Sequence, residues 1–217
     1  MRERLRRTDS GLTLVEVMVA VVIFSLAISV AFSAVILVMR RSHEAQQSAD
    51  AQAELRLALA QIDRQVRSGN VLFSPANEPA HLNTCEALGA QAGTCMRIYT
   101  QSNGENKCVQ WQLLADNPTA PAADRRYELR TRSWETDWQT GGTVTDWGVV
   151  ARDLVIGTQP PFILEGATTP YNERMLRVHL EAWDSRRSSP VSVDSSITGR
   201  NTSYGYDAGQ CEPVPPA

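Results

Sequence analysis

The longest unbroken pattern in the chain is apolar. From Val17 to Met39, 23 residues pass without a charge or a proline. As a helix rising about 1.5 Å per residue, that run spans roughly 35 Å, enough to cross the hydrocarbon core of a bilayer. Arg40 and Arg41 end it, and a helical pattern then continues from Ser42 to Ser68. Leu55, Leu59, Ile62 and Val66 form one apolar stripe, with Arg56, Asp63, Arg64 and Arg67 mostly off it. Gly69-Asn70 is a helix stop, and Pro75 follows. The pattern therefore predicts a single helix from Leu12 to about Ser68, 57 residues long. The apolar register is too short to sustain a heptad coiled coil.

After that helix the period changes. Residues 70–94 read as a loop, broken by Pro75, Pro79, Gly89 and Gly93, with a candidate short helix over Glu86–Gln91 and His81 standing without partners. Strands are expected to begin at Cys95. Met96–Thr100 alternates, Ser102–Asn106 turns, and Cys108–Leu114 returns. Asp116–Asp124 is a Pro/Ala-rich loop. Arg126–Trp134 alternates, with Tyr127, Leu129 and Thr131 on one face and Glu128, Arg130 and Arg132 on the other. Gly141-Gly142 marks a turn, and Trp147–Ala151 and Leu154–Ile156 are two short apolar runs, followed by Phe162–Leu164. Leu176, Val178, Leu180 and Ala182 alternate with Arg177, His179 and Glu181, the clearest half-buried strand, which leaves His179 as a solvated side chain on its polar face. Val191–Ile197 is the last strand, and 199–217 a Gly/Pro/polar tail. One long helix followed by antiparallel strands is an α+β fold, with Leu55–Val66 lying across the sheet.

The flanks of the apolar run change the picture. Arg2, Arg4, Arg6 and Arg7 precede it, and one carboxylate, Glu16, sits immediately before its first residue. An ionisable group in a membrane helix costs on the order of 2.5–3.5 kcal/mol, less near the edge, so such groups usually have a partner or a task. The basic end should stay cytoplasmic and the C-terminal bulk lie outside. The run is too long for an ordinary cleaved secretory signal.

Gly11-Leu-Thr-Leu-Val-Glu16 followed by this charge-free helix resembles the type III signal of type IV pilins and type II secretion pseudopilins. The resemblance implies that a membrane prepilin peptidase cuts after Gly11 and that the new N-terminal Leu12 is methylated. It makes Glu16 the fifth mature residue, an assembly determinant. The implied organisation is a leader over 1–11, a transmembrane and filament-core helix over 12–39, an amphipathic continuation over 40–68 and an exported β-rich domain over 69–217. The implied partners are the peptidase/N-methyltransferase, other pilins meeting this one through the N-terminal helix, and the cytoplasmic membrane. Ser25 and Ser33 stand where many major pilins carry a glycine and a proline, so the usual local melting of the stem is not implied here. Ser25, Ser29 and Ser33 share one helix face. They serve either as a close-packing stripe or as hydroxyls that bond back to their own helix. The order from Trp147 to Arg200-Asn201 is also similar to PilW-like minor pilins and J-type minor pseudopilins, which implies a tip-located, priming subunit.

Charge and cysteines bound the rest. The leader carries four arginines against Glu3 and Asp9, so the formal charge of −3 becomes −5 once it is removed. Nothing basic on that scale points to nucleic acid. Cys85, Cys95, Cys108 and Cys211 all fall in the exported part, an even count that reads as two disulfides. Of three connectivities, Cys85–Cys95 closing a local loop with Cys108–Cys211 tying down the tail is favoured. No Cys-x₂-Cys spacing supports zinc. No catalytic triad, Cys-His pair or phosphate loop is legible, so no enzyme, cofactor or metal is expected. Asp116, Asn117 and Asp124 lack EF-hand spacing for calcium. Trp134, Trp138 and Trp147 with Arg130, Arg132 and Arg152 fit sheet packing better than a ligand face. They leave one rival reading, a non-polymerising membrane-anchored domain that binds DNA or glycan.

Overall fold

A computed structural model describes residues 13–78, 91–102, 104–166, 174–184, 189–199 and 209–216. The chain divides into two compact units, Met1–Gln46 and Gln47–Ala217. Helix α1 (Leu14–Ser68) contributes to both. In the first unit every described residue up to His43 is exposed, including Leu14, Phe24, Phe32 and Met39. A helix that is apolar on all sides and buries none of them is built for a non-aqueous or partnered surrounding. It is long and apolar enough to cross a membrane.

The second unit is the α+β body. The last turns of α1 bury Ser48, Leu55, Ala58, Ile62 and Val66, spaced as one helix face. Leu59, expected on that stripe, is only partly buried at its margin, and Ala58 is fully buried. Among the described residues the eight strands are β1 (Gly69–Leu72), β2 (Cys95–Ser102), β3 (Glu105–Ala115), β4 (Tyr127–Glu135), β5 (Gly148–Val155), β6 (Phe162–Glu165), β7 (Met175–Asp184) and β8 (Ser189–Thr198). They form one antiparallel sheet in the order β1-β2-β3-β4-β5-β7-β6, with β8 on the free side of β7. The helix packs on one face, against Ile98, Trp111, Leu129, Leu154, Val178 and Ile197 among others. A Cβ on Gly199 would stand 2.9 Å from Leu72 Cδ1 and 3.0 Å from the Val66 carbonyl oxygen. The end of β8 thus returns to β1 and the end of the helix, so the sheet is curled.

Three expectations are corrected. The sheet begins at Gly69, not Cys95: residues 69–72 pair with β2 at Thr100, Tyr99 and Ile98. The Gly-Asn pair that stops the helix also opens a four-residue edge strand, too short to show a period of its own. The two runs around Trp147–Ile156 are one strand. β5 carries one more residue than β4 between the pairs Leu129–Ala151 and Tyr127–Leu154, a bulge in which Asp153 takes φ 55°. His179 is not solvated: its side chain is 12% exposed and lies between Asp194 and Glu181. On the polar face of β4, which alternation left without a solvent assignment, Glu128 and Arg132 are buried.

What covers that second face is the end of the chain. Tyr99, Cys108, Trp134 and Cys211 form a satellite core, with Phe73, Trp138 and Val214 packed against it. Residues 209–216, read from sequence as a polar tail, are therefore part of the fold. The candidate helix over Glu86–Gln91, His81 and the Arg200-Asn201 pair lie wholly or mainly outside the described residues.

Candidate functional site

Two regions bear on function. The first is the start of α1. Gly11 and Leu12 lie outside the described residues. Thr13 immediately precedes the helix, and its Oγ1 accepts a hydrogen bond from the Glu16 amide at 3.3 Å. Its carbonyl accepts from the amides of Glu16 at 3.0 Å and Val17 at 3.2 Å. Thr13 is thus an N-cap, satisfying one of the orphan donors of the first turn. The exposed Glu16 carboxylate sits in that same turn, where the helix dipole favours a negative charge. Further along, Ser25 Oγ donates to the Val21 carbonyl at 2.7 Å and Ser33 Oγ to the Ser29 carbonyl at 2.8 Å. Two of the three serines on this face thus bond their hydroxyls back to their own helix.

The second region is the tail-covered face of the sheet. Alternation puts Arg97 and Tyr99 of β2 on it, while Met96 and Ile98 face the helix. Arg97 is buried. Its Nε and Nη2 donate to Glu78 at 2.7 and 3.0 Å, its Nη1 donates to the Cys211 carbonyl at 3.3 Å, and the guanidinium lies 4.4 Å from the Phe73 ring centroid. Arg132 of β4 donates from Nε to Gln110 Oε1 at 2.9 Å, from Nη1 to the Pro216 carbonyl at 2.7 Å and from Nη2 to the Pro215 carbonyl at 2.9 Å. It is stacked 4.4 Å from Trp147. Trp138 Nε1 donates to the Pro213 carbonyl at 2.9 Å. A disulfide joins Cys108 to Cys211, and Cys95 is also disulfide-bonded. Cys85 lies outside the described residues.

The tryptophan and arginine groups singled out from sequence are thus spent within the fold. Trp134 is buried, Arg132 and Trp138 hold the tail, and Arg130 and Arg152 both pair with Glu128. Asn117 closes its own loop: its Oδ1 accepts from the Arg126 amide at 2.9 Å and its Nδ2 donates to the Asp124 carbonyl at 3.4 Å. Among the described residues no group of three or more His, Cys, Asp or Glu side chains is placed to hold a metal ion. A groove of about 220 Å³ runs between α1 and the β5–β7 edge, lined by Asp50, Glu54, Arg152, Asp153, Trp183 and Asp184. The Glu54 carboxylate in it accepts from the Arg152 amide at 2.9 Å.

Sequence reasoning missed Arg97, Glu78 and residues 213–216. Two signals were present: an arginine on a strand flanked by Met96 and Ile98, and three prolines within the last five residues. The covered face depends on contacts made across the length of the domain, and no local pattern reveals those.

No curated protein and no solved structure matches the chain. Residues 6–32 match the family described as the prokaryotic N-terminal methylation motif. The N-terminus therefore carries the signal of a type IV pilin-like precursor, joined to an α+β body.

Proposed function

We propose that the chain is a minor pilin or pseudopilin, a structural subunit of a type IV pilus or type II secretion-type filament. The observation that carries this is the methylation motif over residues 6–32 running directly into a helix whose residues are exposed and apolar on every side. Such a surface needs lipid before assembly and neighbouring stems after it. In this reading 1–11 is a cytoplasmic leader, 12–39 the membrane and filament-core helix, 40–68 its amphipathic continuation and 69–217 the exported domain. The protein first sits in the cytoplasmic membrane as a single span with its C-terminus outside. A prepilin peptidase/N-methyltransferase cuts between Gly11 and Leu12, and the subunit then enters an extracellular or periplasmic filament. The role is structural rather than enzymatic. Its place is at the tip, priming assembly, a reading supported by the similarity of the C-terminal strand order to PilW-like and J-type subunits.

The cut leaves a positive amine on Leu12. Glu16 of a neighbouring stem is its natural partner in an apolar core. Two unit charges about 4 Å apart attract by roughly 4 kcal/mol at an effective dielectric near 20, before desolvation is counted. Desolvation offsets much of that, so the pair sets register more than strength. Mass spectrometry of the mature N-terminus should find methylated Leu12, and Glu16→Ala should be exported and cleaved yet enter filaments poorly. An N-terminus retaining Met1, or normal incorporation of that variant, would refute the reading.

A further inference from the structure

The contacts that hold residues 213–216 have a distinct chemistry. Arg132 and Trp138 offer N–H donors and no acceptor. The segment they grip, Pro213-Val214-Pro215-Pro216, has a single backbone N–H, because proline has none, and is rich in carbonyl acceptors. Three of those carbonyls are taken, those of Pro213, Pro215 and Pro216. The residue before a proline is pushed to extended backbone, which fixes Val214 and Pro215 in the stretched form such a donor row can read. Pro215 is buried, and Val214 packs into the satellite core with Trp134 and Trp138. An aromatic wall, an indole N–H on a proline carbonyl and a stiff extended segment are the elements of proline-rich peptide recognition.

We propose that this face, lined by Trp134, Trp138 and the Arg132 guanidinium that stacks on Trp147, is a recognition groove for extended proline-rich segments. The chain's own residues 213–216 fill it in cis, and its ligand in trans is a proline-rich segment of a protein partner. The inference stands independently of the filament reading. Cys211, tethered to Cys108, keeps the tail beside the groove, so the tail competes as an intramolecular ligand with an effective concentration on the order of millimolar.

The test uses the chain in detergent micelles with disulfides intact and a stop codon in place of residue 213. The probe is the blocked peptide Glu-Pro-Val-Pro-Pro-Ala, followed by tryptophan emission and calorimetry. The shortened chain should bind it saturably. The intact chain should bind about tenfold more weakly or worse, because its own tail occupies the groove. Trp138→Phe in the shortened chain should weaken binding roughly five- to tenfold through loss of the indole donor. A peptide with alanine for every proline should not bind. Equal binding of both peptides, equal binding by intact and shortened chains, or no binding by a shortened chain that keeps its circular dichroism and melting transition overturns the proposal. Should the shortened chain not fold, the full-length Pro215→Gly/Pro216→Gly variant, whose tail is loosened, takes the same titration. Saturable binding there supports the groove, and its failure refutes it.

Discussion

Removing the Arg97 guanidinium should be among the most damaging single changes available in the second unit. Its side chain and that of Glu78 are 1% and 3% exposed, and they meet through two hydrogen bonds. Arg97→Met keeps most of the volume but leaves the Glu78 carboxylate in a site that water scarcely reaches. Breaking a buried pair from one side typically costs about 3–5 kcal/mol. The contact with Phe73 and the bond to the Cys211 carbonyl are lost in the same step. For a domain of about 150–250 residues, each kcal/mol lowers the melting temperature by roughly 2–4 °C, so a drop of roughly 6–20 °C is expected. The assay is thermal unfolding followed by circular dichroism in detergent micelles under non-reducing conditions. The decisive control is Arg97→Met combined with Glu78→Leu. If the penalty comes from a buried carboxylate that has lost its arginine, the double variant regains most of the loss, because replacing both partners by apolar groups removes the desolvation cost along with the attraction. A single variant that melts within about 2 °C of wild type, or a double variant no better than the single, would refute the reasoning.

Three other outcomes are expected. Burial works to lower the His179 pKa, but the hydrogen bonds and charges of Asp194 and Glu181 outweigh it and hold the imidazole above its ordinary 6.5. The stabilisation it gives is then fully present below about 6.5 and lost as pH rises through the raised folded value. The unfolding free energy of wild type minus that of His179→Gln should therefore shrink toward alkaline pH, and a constant difference from pH 5 to 9 would contradict it. Cys108→Ser with Cys211→Ser opens a loop of sequence separation 103 and should cost about 2–5 kcal/mol in denaturant titration. Gly93→Ala should destabilise by more than about 1 kcal/mol, since Gly93 has φ +82° and a Cβ would stand 2.6 Å from Pro160 Cβ and 2.8 Å from the Phe162 carbonyl oxygen. Melting curves of the alanine variant check it.

The helix and the long alternating strands were legible because each obeys one period over many residues. The 23 uncharged positions from Val17 and the spacing of Leu55, Ile62 and Val66 leave no other element to choose, and Leu176 to Ala182 alternate without a fault. β1 was not legible because its four residues form a strand only by pairing with the edge of β2. β5 was split in the reading because Arg152 and Asp153 interrupt its apolar run where the bulge falls. Alternation in β4 correctly separated two faces. It did not say that Glu128 and Arg132 would be buried, because the cover for Arg132 comes from residues more than 80 positions away. The capping of the first helical turn by Thr13 was readable in principle from Thr13-x-x-Glu16, a capping-box spacing.

The exposed stem sets the energy scale on which this molecule lives. Eighteen large apolar side chains between Leu14 and Met39 face outward. At about 1.5–3 kcal/mol for each one taken out of water, their preference for a greasy surrounding comes to roughly 25–55 kcal/mol. A folded domain is held together by only about 5–15 kcal/mol. Heat, urea or a mutation that melts the β-sheet therefore leaves a disordered chain still anchored by its front end. Under the proposed reading, quality control would meet such a casualty at the membrane rather than free in water.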